Sequence, residues 1–202
     1  FDKQQHPTSQ KVITMNTTAK GNNEIMGKAQ EGKHIKELSS VDEQTLIAGL
    51  NQDLAAEYQA ILMYIHYSAK ITGPFRRELR ALFQAEIADE QMHAQFLADK
   101  ITALGGEPTT EPPRIPDAGE PRDMLKQALT AEERAIEGYR ERIRQAERFG
   151  DIGLKVVLEN QLADETRHKE QIERILVGWD DLEDKRKSTH AGKMTEDRDD
   201  RR

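Results

Sequence analysis

Residues 88–93 of the chain read ADEQMH, and residues 163–168 read ADETRH. Each stretch contains a glutamate followed three residues later by a histidine, and each is preceded 33 residues earlier by a leading glutamate. The leading glutamates are Glu57 and Glu132, and the motif pairs are Glu90 with His93 and Glu165 with His168, all offset by 75 residues. One such pair would mean little in a chain rich in glutamate. Two copies in register indicate a site built by two related halves.

The 75-residue repeat extends to apolar and aromatic positions around the six motif residues. The additional matched pairs are Leu54 with Leu129, Ala56 with Ala131, Ile61 with Ile136, and Tyr64 with Tyr139. Within each half, apolar residues recur at steps of three and four, which is typical of amphipathic helices. The sequence therefore predicts two related helical hairpins.

Four long helical patterns cover the middle of the chain, and we find no strand pattern of any length. The first helix is expected to begin at a capping box formed by Ser40 and Glu43. The second ends near Gly105, the third begins at Pro121, and the fourth follows a break at Gly150. The predicted fold is an all-α four-helix bundle.

The composition along the chain divides it into three segments. Residues 1–39 are polar and cannot bury enough apolar surface to offset the entropy of ordering, so we expect an extended or disordered arm. Residues 40–178 hold the bundle, and within them residues 105–120 contain four prolines, which predicts a long crossover between the second and third helices. Residues 179–202 form a charged C-terminal tail, with an acidic block followed by a basic one.

The overall composition excludes several classes of site and partner. The chain has no cysteine, which excludes disulfides, thiolate zinc sites and iron-sulfur clusters. Its net charge of -7 at pH 7 disfavours nucleic acid as a partner, and residues 1–39 hold only six lysines against four acidic residues. No apolar run reaches the roughly 18 residues of a membrane span, and the first 40 residues lack the apolar core of a signal peptide. We therefore expect a cytoplasmic protein with no membrane partner.

The doubled motif has the chemistry of a two-metal site. Residues three apart on a helix share one face, so the glutamate and histidine of each pair can reach one ion. The same face otherwise carries apolar residues, and burying an unpaired carboxylate costs on the order of several kcal/mol. Two divalent ions would compensate the four carboxylates, with one leading glutamate and one histidine per ion and the two motif glutamates shared. Carboxylate and imidazole ligands suit iron or manganese and do not choose between them.

Other polar residues lie near the six on the predicted helix faces. Asp89 and Asp164 directly precede the motif glutamates and are candidates to orient the histidines. Tyr64 and Tyr139 lie two helical turns beyond the leading glutamates, as candidate hydrogen-bonding or redox-active neighbours of the metals. Glu86 is a candidate additional ligand, and its counterpart in the second half is a glutamine, a weaker ligand for iron. For any of these residues taken alone, the alternative is an ordinary solvated or packed side chain.

These motifs resemble the ferritin-like di-iron carboxylate superfamily, and within it the chain is most similar to bacterioferritin and Dps-like ferritins. The resemblance covers about residues 42–176 and is carried by AEYQAILMY around Glu57, ADEQMH, MLKQALTAEE and ADETRH. It implies a ferroxidase in which the six motif residues bind two iron ions, with Tyr64 beside the iron. It also implies a homo-oligomer, at least a dimer, that oxidises Fe(II) with oxygen or hydrogen peroxide for iron storage or detoxification.

Two features depart from bacterioferritin. That family places a haem-binding methionine directly after the first motif glutamate, where this chain has Gln91, and Met92 points about 100° away on the helix. We therefore do not expect haem. The charged segment after Gly178 has no clear counterpart of the apolar fifth helix of 24-subunit cages, which leaves a dimer or a 12-subunit, Dps-like shell as alternatives.

Two other functions fit the same sequence. The first is a different di-metal enzyme, such as a manganese catalase, a rubrerythrin-like peroxidase or an oxygenase. The second is a Dps-like protein in which the bundle organises an assembly on DNA or inside a larger shell. A storage protein takes up many iron atoms per subunit, whereas a discrete di-metal enzyme saturates near two.

Overall fold

The computed structural model describes residues 42–199, with side chains up to Trp179, and this part of the chain contains four α-helices and no strand. The helices are α1 (Glu43–Lys70), α2 (Arg76–Ala103), α3 (Pro121–Phe149) and α4 (Ile152–Asp199). The predicted all-α bundle with a long crossover between its second and third helices is confirmed. No described helix combines the length and the apolarity that a bilayer crossing requires.

The helix ends follow local capping chemistry. The side chain of Asp42 accepts a hydrogen bond from the backbone N–H of Thr45 at 2.6 Å, which satisfies one of the free amides at the start of α1. The expected capping box is therefore wrong in its first residue, since Asp42 provides the cap and Ser40 lies outside the described residues. α3 begins at Pro121 as predicted, and Gly150 ends it with a φ of 90°, a conformation that favours glycine.

α4 is longer than the sequence predicted. It passes through Gly178 and continues to Asp199, so no helix end marks the expected boundary between bundle and charged tail. The sequence beyond Trp179 contains no proline and places opposite charges four residues apart, both of which are compatible with a helix. The side chains of that segment, and the whole of the expected arm at residues 1–39, lie outside the described residues.

The helices pack as two hairpins, α1 with α2 and α3 with α4, and α1 also packs along α3. Two apolar clusters fill the core. One contains the stacked rings of Tyr64 and Phe83, and the other contains Leu50 and Leu97. On every helix, the motif residues fall between the stretches that contribute to these two clusters. The six motif residues therefore lie near the middle of the bundle, between two apolar layers.

The crossover between α2 and α3 lies along α1 and is fixed to it by polar side chains. Asn51 donates to the carbonyl of Glu107 at 3.1 Å and accepts from the N–H of Thr109 at 2.7 Å. Further along α1, Tyr67 donates to the carbonyl of Pro116 at 2.7 Å. Asn51 and Tyr67 are 16 residues apart on one helix, or about 24 Å. The proline-rich segment thus returns the chain over much of the bundle length.

Candidate metal centre

The six motif residues meet in the interior of the bundle. α1 and α3 each contribute a leading glutamate, while α2 and α4 each contribute a motif pair. All six side chains are buried, with at most 4% of any residue exposed. The three-residue spacing puts the glutamate and the histidine of each pair on one helix face, and both faces point into the bundle.

The ligand-capable atoms form two overlapping groups, which we name the first and second positions. The first position consists of Glu57, Glu90, His93 and Glu165, and the second consists of Glu90, Glu132, Glu165 and His168. In each group, one nitrogen or oxygen atom per residue lies within 4.8 Å of the other three. The two motif glutamates belong to both groups, whereas each leading glutamate and each histidine belongs to one. This arrangement matches two metal ions that share two carboxylates.

Each histidine turns the same ring nitrogen toward the carboxylates. His93 Nδ1 lies 2.8 Å from Glu165 Oε1, 3.6 Å from Glu90 Oε2 and 3.9 Å from Glu57 Oε2. His168 Nδ1 faces the three carboxylates of the second position at 3.6 to 4.0 Å. The other ring nitrogen, Nε2, of each histidine is therefore directed away from the cluster.

An aspartate lies at the outer nitrogen of each histidine. Asp164 Oδ2 is 3.6 Å from His93 Nε2, and Asp89 Oδ2 is 3.4 Å from His168 Nε2. Each aspartate thus faces the histidine of the opposite hairpin rather than that of its own helix. Arg167 lies 2.7 Å from Asp164 and 3.7 Å from Asp89, so it links the two carboxylates. A carboxylate beyond a metal-binding imidazole commonly fixes its orientation.

Two buried tyrosines donate hydrogen bonds to the leading glutamates. The Tyr64 hydroxyl donates to Glu132 Oε1, and the Tyr139 hydroxyl donates to Glu57 Oε1. The sequence placed both tyrosines on the faces of the leading glutamates, but it did not indicate that each would bond to the glutamate of the other hairpin. The two bonds join α1 to α3 on either side of the cluster.

The model of the ferritin-like domain family matches residues 47–181 of this chain. The chain belongs to the ferritin-like family. It is 29% identical over 131 residues to a bacterioferritin from Desulfovibrio desulfuricans, which covers 64% of this chain and 73% of that protein. A solved crystal structure from Bacillus anthracis, described as ferritin-like, diiron-carboxylate proteins, is 47% identical, with a TM-score of 0.67, and the match covers 68% of this chain and 99% of that chain.

A more distant solved structure shares the fold of this ferritin-like chain. It is the dodecameric thioferritin, a bacterioferritin-related protein, from Bacteroides fragilis, at 23% identity and a TM-score of 0.67. The match covers 77% of this chain and 98% of that one. The predicted membership of the ferritin-like di-iron carboxylate superfamily is confirmed.

Burial shifts the protonation equilibria of the carboxylates in this ferritin-like bundle. Burial raises the pKa of Glu57 to about 7. Burial and the charges of neighbouring carboxylates raise the pKa values of Glu90 and Glu132 well above the ordinary range for glutamate. Glu165 is the exception, because the two adjacent histidines outweigh the effect of burial and lower its pKa. Without metal, protons must therefore offset part of the negative charge.

Protonated histidines offset part of the negative charge of the carboxylates. Burial lowers the pKa of each imidazole, but the carboxylate of Glu165 and its neighbours outweigh burial. The result is a raised pKa for His93 and a pKa of about 10 for His168. A histidine must be neutral to bind a metal ion, so metal binding would release these protons.

The donor set fits two divalent metal ions. Buried atoms without a hydrogen bond of normal geometry include Nδ1 of His93, Oε1 of Glu165 and both ring nitrogens of His168. Buried polar atoms are rarely left without partners. The Nδ1 atoms and the shared carboxylates face one another, so ions bound between them would contact both Nδ1 atoms and the Glu165 oxygen and would neutralise four ionised glutamates. Nε2 of His168 faces Glu86 and Asp89 instead.

Glu86 makes the surroundings of the two positions unequal. Its Oε2 atom lies 2.8 Å from Nε2 of His168, and with Asp89 it forms a further group of ligand-capable atoms on the outer side of that histidine. The sequence indicated Glu86 as an additional ligand, and the structure places it beyond the imidazole, outside both four-residue groups. Its counterpart Gln161 is buried, and its side-chain oxygen makes no hydrogen bond.

A buried ion pair between α1 and α3 was not predicted from the sequence. Arg142 Nε donates to Asp53 Oδ2 at 2.7 Å, Nη2 donates to Asp53 Oδ1 at 3.3 Å, and Nη1 donates to Gln145 Oε1 at 2.5 Å. All three side chains are buried. A break in the 75-residue repeat is the signal that could have found this pair, because Asp53 corresponds to an alanine and Arg142 to a tyrosine.

The metal-free protein should lose stability as the pH rises from about 5 to about 9. A carboxyl group whose pKa is higher in the folded state than in the unfolded state stabilises the fold at pH values below its unfolded pKa. For Glu57 this contribution to the free energy of unfolding is complete below pH 4.5 and is lost as the pH rises through the folded pKa of about 7. The stabilising contribution of protonated His168 is lost between pH 6.5 and about pH 10 for the same reason. The lowered pKa of Glu165 changes stability only below 4.5, so it does not oppose the trend.

Urea unfolding of chelator-treated protein at about pH 5, 7 and 9 measures this trend. Adding Mn(II) or Zn(II) at neutral pH should raise the melting temperature, because the ions bind the folded state. A pH-independent free energy of unfolding, or a melting temperature that does not respond to metal, would contradict this account of the cluster.

Proposed function

We propose that this protein is a ferroxidase that oxidises Fe(II) to Fe(III), with dioxygen or hydrogen peroxide as the oxidant. The observation that carries the proposal is the pair of overlapping ligand groups, which share two carboxylates and have one histidine each. The proposed iron ligands are Glu57, Glu90, His93, Glu132, Glu165 and His168. The diiron-carboxylate description of the Bacillus anthracis relatives supports iron over manganese.

Two adjacent Fe(II) ions supply both electrons that the oxidant requires. Hydrogen peroxide accepts two electrons and two protons and gives two molecules of water. Dioxygen accepts the same number of electrons and protons and gives one molecule of hydrogen peroxide. Each Fe(II) loses one electron in either case, so the reaction yields two Fe(III). Iron is the substrate of this reaction, and the protein binds it and orients its ligands.

The carboxylates favour the oxidised product. Four ionised glutamates carry a formal charge that matches two Fe(II) ions. The higher charge of Fe(III) strengthens its attraction to the same hard oxygen atoms. Binding of the substrate displaces protons from the carboxyl groups whose pKa is raised by burial, and from the histidines.

The neighbouring polar groups hold the proposed ligands in place. Asp89 and Asp164 lie beyond the histidines, so that each imidazole presents Nδ1 to the cluster. Tyr64 and Tyr139 each occupy Oε1 of a leading glutamate, which leaves Oε2 to bind iron. Burial and nearby carboxylates raise the pKa of both tyrosines well above the ordinary value, so they remain protonated donors.

The surface of α1 supports an oligomeric assembly. Leu62 and Ile65 lie three residues apart on this helix, and they are 42% and 48% exposed. Tyr58 and Pro112 line an apolar depression next to Leu62. Burying such a surface against a second copy of the chain is favourable. We therefore propose a homo-oligomer, at least a dimer, in which the oxidised iron is stored or detoxified, as the bacterioferritin relative suggests.

Replacing a shared glutamate should abolish rapid Fe(II) oxidation. Glu90→Ala and Glu165→Ala each remove a carboxylate that belongs to both positions. The initial rate of Fe(III) formation, measured by stopped-flow absorbance, should fall at least about 100-fold, because losing a residue that merely orients a ligand already costs about 10- to 100-fold. Glu170→Ala, an exposed glutamate on α4, is the matched control and should oxidise Fe(II) at the wild-type rate. Wild-type rates in both ligand variants, with helical content unchanged by circular dichroism, would overturn the ligand assignment.

Iron capacity distinguishes storage from a discrete di-metal enzyme. The intact protein is loaded aerobically with successive additions of Fe(II), desalted, and analysed for iron and for assembly mass by native mass spectrometry. Storage predicts many more than two iron atoms per chain in an assembly of at least two chains. Saturation near two iron atoms per chain would contradict storage and favour a catalase, peroxidase or oxygenase.

A further inference from the structure

The two metal positions differ in what lies one helical turn away from them. Asp53 is four residues before Glu57 on α1, and Arg142 is three residues after Tyr139 on α3. The buried ion pair of Asp53 with Arg142, named the clamp, therefore lies one turn from the hydrogen bond that Tyr139 donates to Glu57. Both links join the same two helices at the first position.

Two glycines make room for the clamp. A Cβ atom on Gly49 would lie 1.4 Å from Nη1 of Arg142, and one on Gly138 would lie 2.9 Å from Oδ1 of Asp53. No larger residue fits at either position unless the clamp moves. Glycine in a helix interior costs about 1 kcal/mol relative to alanine. α1 and α3 therefore each have a glycine, which weakens the helix, at the position where a larger side chain would collide with the ion pair.

The positions related to these four by the 75-residue repeat form an apolar plug, to which α1 and α3 each contribute two residues. Gly49, Asp53, Gly138 and Arg142 correspond to Met124, Ala128, Met63 and Tyr67, respectively. All four residues of the plug are buried in one apolar cluster. The hydroxyl group of Tyr67 donates to the crossover rather than to α3. All four repeat-related positions differ, so a polar, ion-paired contact between α1 and α3 beside the first metal position is replaced by an apolar contact beside the second.

We propose that Asp53 and Arg142 are positioning residues that act on the first metal position and not on the second. The clamp fixes α1 against α3 and so holds Glu57 and Tyr139 in the orientation that presents Glu57 Oε2 to the ion. A two-fold hydrogen-bonded ion pair requires one geometry, whereas an apolar contact tolerates small shifts. The clamp therefore raises the metal affinity of the first position alone. This inference rests on the proposed ligand assignment.

The test is the binding of Co(II) to metal-free protein, measured by visible absorption, in a double-mutant cycle. The clamp variant is Asp53→Ala/Arg142→Met, because removing one partner alone would leave an unpaired buried charge. Glu57→Ala removes the first position, and Glu132→Ala removes the second. In the Glu132→Ala background, the clamp variant should weaken Co(II) binding at least about 10-fold, as for other residues that orient ligands. In the Glu57→Ala background, the change should stay below about twofold.

The controls separate this proposal from the ligand assignment. Wild-type protein that binds fewer than two Co(II) ions per chain contradicts the ligand assignment, and the clamp proposal with it. Two bound ions, with equal weakening of both positions or none at the first, overturn the clamp proposal alone. Arg140→Met, which removes an exposed arginine on α3 paired with Glu137, should leave both affinities unchanged.

A second variant keeps the test decisive if the double replacement does not fold. Arg142→Lys keeps both buried charges and gives up the two-fold hydrogen bonding of the guanidinium group to Asp53. It should weaken the first position in the Glu132→Ala background and leave the second position unchanged in the Glu57→Ala background. Equal changes at the two positions would overturn the proposal.

Discussion

Mutual repulsion of four buried glutamates is the constraint on which the centre of this bundle depends. Two ionised carboxylates about 5 Å apart repel by roughly 3 kcal/mol at an effective dielectric constant of 20, and burial adds a cost for each charge. The raised pKa values of Glu57, Glu90 and Glu132 are the response of the metal-free protein. A fold that retains such a cluster in its core requires a compensating positive charge, which protons provide in the metal-free protein and which the two proposed divalent cations would provide in the metal-bound protein.

The rest of the architecture holds that cluster in one arrangement. Apolar layers lie above and below the cluster, and the crossover is hydrogen-bonded along α1. Lys100 on α2 pairs with Asp151 at one end of the bundle, and most of the other polar links between the hairpins in the described residues lie next to the six motif residues. These include the tyrosine bonds to the leading glutamates, the aspartates beyond the histidines, and the ion pair of Asp53 with Arg142. The bundle thus connects its two repeats most closely where the charges are concentrated.

The fold and the meeting of the six motif residues were predictable because both depend on spacing along single helices. A three-residue step fixes which side chains share a face, and a repeat fixes which helices are equivalent. The partners across helices were not predictable in this way. That Tyr64 bonds to Glu132 depends on the packing of α1 against α3, which no single-helix pattern contains. The ion pair of Asp53 and Arg142 was missed because it lies where the two halves differ.

The helix ends show the same division between local and tertiary information. Pro121 and Gly150 were recognised because their backbone preferences act locally. The cap at Asp42 was misassigned because two candidate residues stand two positions apart, and only one lies next to the first helical turn. The continuation of α4 beyond Gly178 was missed because a single glycine without a following proline weakens a helix without ending it.

The most direct test of the central claim is a crystal structure of the protein soaked in Mn(II), or in Fe(II) without oxygen, with anomalous difference maps at the metal edge. The account predicts two peaks about 4 Å apart, the usual separation in two-metal sites. Both should contact Glu90 and Glu165, with His93 at one peak and His168 at the other. A single peak, or two peaks that do not share these glutamates, would contradict it.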